Sequence, residues 1–195
     1  LCLSFLNQLN LERVDWMGTS MGGLIGMFVA SQKKNPIRKL VLNDIGPFIP
    51  RSGLLRIGEY VGKDIRFQSL SEAEHYLREI CTAFGPLTDS QWHHLAVHGF
   101  KQNANRDFVF KYDPAISAPF AGDDVDDIDL TAVWYLLSQP TLVLRGTESD
   151  LLLKTTALDM AENPDCTLVE FEGIGHAPML MSQEQIRPIL EFLKK

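Results

Sequence analysis

No apolar run in this 195-residue chain is long enough to cross a membrane as a helix; every one is interrupted well short of a span. Clustered positive charge is lacking too. Eighteen Lys and Arg stand against 25 Asp and Glu, a net charge of -7, which argues against nucleic acid or an anionic membrane surface as a partner. Cysteine is scarce. Cys2, Cys81 and Cys166 are odd in number, widely spaced and without a C-x-x-C pair. That excludes a disulfide framework and reads as free thiols in a reducing compartment, so the expected location is cytoplasmic. No secretory signal opens the sequence as it stands, which leaves a longer parent unconstrained. Metal patterns fail as well. His94 and His98 stand four apart, with His93 beside them, but H-E-x-x-H is absent. The acidic run Asp123-Asp124-Val125-Asp126-Asp127-Ile128-Asp129 lacks the EF-hand spacing and its glycine. Neither a metal nor an organic cofactor is expected, and the aspartates read as the acidic N-terminus of a following helix.

What is present supports one ordinary core, with 45% apolar residues. Residues 1–10 carry apolar side chains near helical spacing. Residues 14–17 read as a short strand, 21–31 as a helix apolar on nearly every side, and 40–43 as a continuous apolar strand. Continuous apolar strands suit a parallel sheet covered on both faces. Alternation of short strands and helices points to an α/β layer structure, a mostly parallel sheet flanked by helices. The pattern returns near the end, with strands over 141–145 and 166–171, a helix over 154–162 and a closing helix over 183–192 that Pro188 should bend or delay.

Between Pro47 and Gly122 no core strand is evident. Helices are expected over 53–61, 72–84 and 89–98, with Ser71 and Glu74, and again Thr88 and Gln91, spaced as capping boxes. The expected organisation is therefore a core over 1–46 and 123–195, with a helical insertion over 47–122. Ile57, Tyr60, Val61, Tyr76, Leu77, Ile80, Phe84, Trp92 and Leu95 make the insertion apolar enough to line a pocket or to form its own core.

The most informative residues are Gly18-Thr19-Ser20-Met21-Gly22-Gly23, a Gly-x-Ser-x-Gly pattern between a strand and a helix. A serine hydroxyl is a weak nucleophile unless held toward a base. A sharp turn does this, and Gly18 and Gly22 are expected to remove side chains where strand and helix meet. A serine capping a Gly-rich turn is the plainer alternative. Downstream, His176 follows the last strand in Gly173-Ile174-Gly175-His176-Ala177-Pro178, and Asp150 lies in the loop Gly146-Thr147-Glu148-Ser149-Asp150 after the strand before it. Asp150 is the expected partner of His176; Asp44, after the strand at 40–43, and Glu148 are alternatives.

Three motifs in the order Ser20, Asp150, His176, each just past a strand, resemble the α/β-hydrolase superfamily along essentially the whole chain. Gly18 to Gly23 resembles its nucleophile elbow, Arg145 to Asp150 its acid loop, and Gly175-His176 with Pro178 its histidine loop. The segment at 39–47 resembles the strand leading toward its lid. The resemblance implies an α/β-hydrolase fold whose helical insertion is a lid, with Ser20 as nucleophile, His176 as base, Asp150 as acid and the Met21 backbone N–H as half of an oxyanion hole. It also implies hydrolysis of a small, largely apolar carboxylic ester through an acyl-enzyme. Carbon–carbon bond hydrolases and cofactor-free perhydrolases of the superfamily share the same residue types. Departure from the family lies at the front, where several strands and the His-Gly segment that supplies the second oxyanion donor have no counterpart. The expectation is an incomplete N-terminus, an exposed sheet edge covered by self-association or a second chain, and a fragment that is feebly active, silent or merely binding.

Overall fold

The computed structural model describes residues 2–120 and 125–194. Asp123, Asp124 and the expected boundary at 122/123 lie outside them. The chain divides into two units, 1–50 with 127–195, and 51–126.

In the first unit α1 (Cys2–Gln8) precedes β1 (Val14–Thr19), α2 (Met21–Ala30) and β2 (Ile37–Asn43). After a short strand β3 (Phe48–Ile49) the chain leaves for the second unit. That second unit holds α3 (Arg51–Gly58), α4 (Leu70–Ile80), α5 (Asp89–Gly99), β4 (Phe100–Gln102) and β5 (Phe108–Phe110). The chain returns through β6 (Ile128–Asp129), α6 (Thr131–Trp134), β7 (Thr141–Gly146), α7 (Lys154–Ala161), β8 (Cys166–Phe171) and α8 (Gln183–Lys194).

β1, β2, β7 and β8 form one parallel sheet in that order. Burial follows the order. Leu40, Val41, Leu42, Leu142, Val143 and Leu144 in the two middle strands are almost wholly buried, whereas β1 and β8 at the ends are half-exposed. The continuous apolar runs of β2 and β7 are therefore those of strands covered on both faces. Phe171, Ile174 and Ile189 complete a cluster with Val41, Leu142 and Leu144, and Phe192 and Leu193 of α8 pack on it. Pro188 neither delays nor ends α8, which runs through it. The buried Lys39 closes that helix, donating from Nζ to the carbonyls of Phe192 and Leu193 at 2.9 and 3.0 Å.

β3 pairs antiparallel with β6. This ribbon belongs to the sheet-bearing unit and carries its boundary to residue 50, beyond the expected 46. The helix expected to follow the acidic run is short, α6 ending at Trp134.

The second unit has its own core of Phe67, Ala73, Ala96 and Phe100, with Tyr76, Leu77, Phe108 and Phe110 packed around it. Trp92, also buried, stacks on Phe84 with ring centroids 6.2 Å apart. Much of the insertion's apolar content thus serves its own packing. β4 and β5 form an antiparallel hairpin that has no signal in the sequence, because three-residue strands are too short to show a period. Thr88 and Gln91 make the expected reciprocal capping box. The cap of α4 is Ser69, two residues before the expected Ser71; its side chain accepts from Glu72 N–H at 3.1 Å while Glu72 accepts from Gln68 N–H at 2.9 Å.

Candidate active site

The turn from β1 into α2 is tight enough to force Ser20 into a left-handed backbone, φ 52° and ψ -121°, outside the regions an L-residue favours. Its own N–H donates to the Asn43 carbonyl at 3.1 Å, and its carbonyl accepts from Gly23 and Leu24 N–H at 2.8 and 3.1 Å, so the strained residue is bonded on both sides. Gly18 is required here, since a Cβ on it would overlap the backbone of Gly22 and Gly23. Gly22 is not required for the same reason. A Cβ at Gly22 meets nothing within 4 Å, which corrects the expectation that both glycines relieve crowding. Gly22 contributes its backbone instead, the carbonyl accepting from Trp16 Nε1 at 3.0 Å. Met21 opens α2, so its N–H has no carbonyl one turn back to bond.

His176 lies in the loop after β8, its side chain 9% exposed. Nε2 is 3.0 Å from Ser20 Oγ, and Nδ1 is 2.8 Å from Oδ2 of Asp44. Asp44 is fully buried. A buried carboxylate against Nδ1 makes that nitrogen the donor, which leaves Nε2 to accept from the serine hydroxyl.

The acid beside the imidazole is thus Asp44, not Asp150. Both ring nitrogens are taken, by Ser20 Oγ and by Asp44 Oδ2. Register explains the choice. Thr19 pairs with Asn43 across β1 and β2, so the next residues, Ser20 and Asp44, leave adjacent strands side by side. Asp44 also holds a left-handed backbone, φ 56°, which aspartate tolerates better than most residues. Asp44 follows the strand that comes next after the elbow strand and helix, and the pairing of those two strands is what sets it beside Ser20.

Asp44 accepts three hydrogen bonds, from Gly146 N–H to Oδ1 at 2.9 Å and from Ser149 Oγ and His176 Nδ1 to Oδ2 at 2.6 and 2.8 Å. Charged groups are buried only when paired in this way. Gly146 allows the histidine loop to come close, because a Cβ there would strike the carbonyls of Ile174 and Gly175. Asn43 ties the loops from a third side: its Nδ2 donates to Thr19 Oγ1 at 3.0 Å and to the Pro178 carbonyl at 2.9 Å. Ser149 and Asn43 lie within motif segments of the sequence but carry no mark there of what they bond.

The remaining histidines belong to the second unit. His93 Nδ1 meets Glu74 at 3.1 Å, and the rings of His94 and His98 are 4.4 Å apart. Among the described residues, no helix is long and apolar enough to cross a membrane.

The model of the Alpha/beta hydrolase family matches residues 1–187. The chain belongs to that family. It is 39% identical over 193 residues to the 3-hydroxybutyrate-oligomer hydrolase of Cupriavidus necator, covering 94% of this chain and 66% of that one. A crystal structure from Rickettsia typhi superposes with a TM-score of 0.90 at 35% identity, over 99% of this chain and 66% of the other. An alpha/beta hydrolase from Novosphingobium aromaticivorans gives 0.88 at 35% identity, over 99% and 69%. This alpha/beta hydrolase chain therefore spans just under two thirds of the first two relatives' length. Its fold is theirs, a parallel sheet flanked by helices.

Proposed function

We propose that this protein is a serine hydrolase of carboxylic esters, acting through Ser20, His176 and Asp44. The observation that carries the reading is the unbroken chain of two hydrogen bonds, Ser20 Oγ to Nε2 at 3.0 Å and Nδ1 to Asp44 at 2.8 Å. Ser20 Oγ attacks the ester carbonyl carbon while its proton passes to His176 Nε2, and Asp44 stabilises the imidazolium that forms. The Met21 N–H, at the N-terminus of α2, is one donor to the developing oxyanion. His176 then protonates the departing alcohol, and the acyl-enzyme is cleaved by water that the same imidazole activates. No step in this scheme calls on a metal or organic cofactor.

The name of the 39%-identical relative makes short 3-hydroxybutyrate oligomers the substrates to try first. These are small esters whose backbone carbonyls suit the scheme. A meta-cleavage product hydrolase of Pseudomonas fluorescens matches at 15% identity and speaks for the fold alone.

Two measurements on the intact protein test the proposal. A fluorophosphonate probe labels Ser20, and Ser20→Ala abolishes labelling; modification of another residue with Ser20 untouched ends the serine hydrolase reading. A substrate panel of hydroxybutyrate dimer and trimer, short-chain aryl esters, a vinylogous diketone acid and peroxide halogenation then separates the chemistries. Preference for the esters is expected. Preference for the diketone acid would transfer the protein to the carbon–carbon bond hydrolases.

A further inference from the structure

We infer that Ser149 is a positioning residue for Asp44: its hydroxyl fixes the carboxylate that aims His176, an inference that rests on the serine hydrolase reading above. Ser149 is buried, and its Oγ accepts from the N–H groups of Leu151 and Leu152 at 3.3 and 3.0 Å. With both acceptor directions occupied, the hydroxyl proton points away from those amides, toward Oδ2 of Asp44 at 2.6 Å. The serine is thus a donor of fixed direction rather than a free rotor.

The loop that presents it is itself braced. Arg145, buried at the end of β7, donates from Nε to the Leu152 carbonyl at 2.8 Å and from Nη2 to the Thr147 carbonyl at 3.2 Å, spanning the loop on both sides of Ser149. Its Nη1 reaches Glu170 at 2.7 Å on β8. The histidine loop is tied to the same segment, because Glu148 N–H donates to the Ile174 carbonyl at 2.9 Å and Gly173 N–H to Thr147 Oγ1 at 2.9 Å.

Two donors from this loop grip different oxygens of Asp44, Gly146 N–H on Oδ1 and Ser149 Oγ–H on Oδ2. Together they fix the carboxylate plane. Remove Ser149 and Oδ2 is held by His176 alone, so acid and imidazole turn together about the Gly146 contact. Ser149 also shares the negative charge of the buried Asp44 while His176 is neutral. The segment expected from sequence to carry the acid instead carries the clamp that holds an acid from the neighbouring strand.

The test uses the intact protein, counting active sites with the fluorophosphonate and reading turnover per labelled site on a short-chain aryl ester. Ser149→Ala is expected to lower kcat about 10- to 100-fold, the loss of one hydrogen bond to a charged group, with KM unchanged. The downfield proton resonance of the His176–Asp44 bond should broaden or move. Ser149→Thr, which keeps the hydroxyl, should recover most of kcat. A residue with only a structural role would lower Tm and leave kcat per site and that resonance in place. If Ser149→Ala does not fold, Ser149→Cys, similar in size and a weak donor, gives the same reading. Wild-type kcat per site in the folded Ala or Cys variant overturns the inference alone. Failure of wild-type Ser20 to label overturns the hydrolase reading and this inference with it.

Discussion

At the scale of single residues the contrast lies between Asp44, 2.8 Å from His176 Nδ1, and Asp150, which the sequence favoured as the acid. Asp44→Asn should lower kcat by about 10³–10⁴, as for other triad acids, by taking away the charge that opposes the imidazolium. Asp150→Asn should leave ester turnover close to wild type; steady-state kinetics of the two variants side by side decide between the carboxylates. The glycines of the elbow divide as sharply. Gly18→Ala should cost more than about 4 kcal/mol or abolish folding, since the added methyl meets backbone that cannot move. Gly22→Ala, with open space and a helical position, should be neutral or stabilising by up to about 1 kcal/mol in thermal unfolding. Ser20 and His176 were legible in the sequence because each sits in a glycine-flanked segment directly after a strand. Asp44 was not favoured, because a carboxylate after a strand carries no mark of which loop it will face. Only the pairing of β1 with β2 brings it beside Ser20. Ser149 and Asn43 act through neighbours far away in sequence, and composition holds no trace of that.

At the scale of elements, local chemistry proved readable where it is self-contained. The Thr88 box closes within four residues, and the strands β2 and β7 announce themselves by unbroken apolar runs. Ser69 was missed because Ser71 offers the same spacing to Glu74, and only the turn geometry chooses between them. Glu74 of α4 is the element-scale site with a pH signature. Hydrogen bonding to Arg78 holds its carboxyl below the ordinary value, helped by His93 and opposed by burial. Its folded pKa is lowered, so the unfolded chain binds the proton more tightly. The stabilisation is therefore whole above about pH 4.5, the ordinary value, and fades as pH falls through the depressed folded value. Glu74→Gln should remove about 0.5–1 kcal/mol at neutral pH, and the gap to wild type should close in acid. Urea titrations of both proteins between neutrality and acid measure it.

For the molecule as a whole, the sheet ends at β1 on one side among the described residues, and Met17 on that strand is 44% exposed. Phe5, Leu9 and Leu11 nearby in the chain, and Phe28 in α2, also show large apolar surface. Such an edge is a template for further pairing. We propose that the 195-residue stretch by itself self-associates through it, which sedimentation velocity checks directly; a stable monomer with cooperative unfolding would count against the proposal. The parallel register has a further consequence. Ser20 and Asp44 each stand one residue beyond a paired position, and the clamp on Asp44 begins at Gly146, the last paired residue of β7. A strand can slip only in whole residues, about 3.3 Å at a step with every side chain turned to the opposite face. Hydrogen bonds of 3.0 and 2.8 Å survive shifts of only a few tenths of an ångström. On the serine hydrolase proposal, competence is then all-or-none in each molecule. A preparation with misregistered strands would contain fewer working copies, each turning over at full speed, and a census of labelled serines would fall in step with bulk activity.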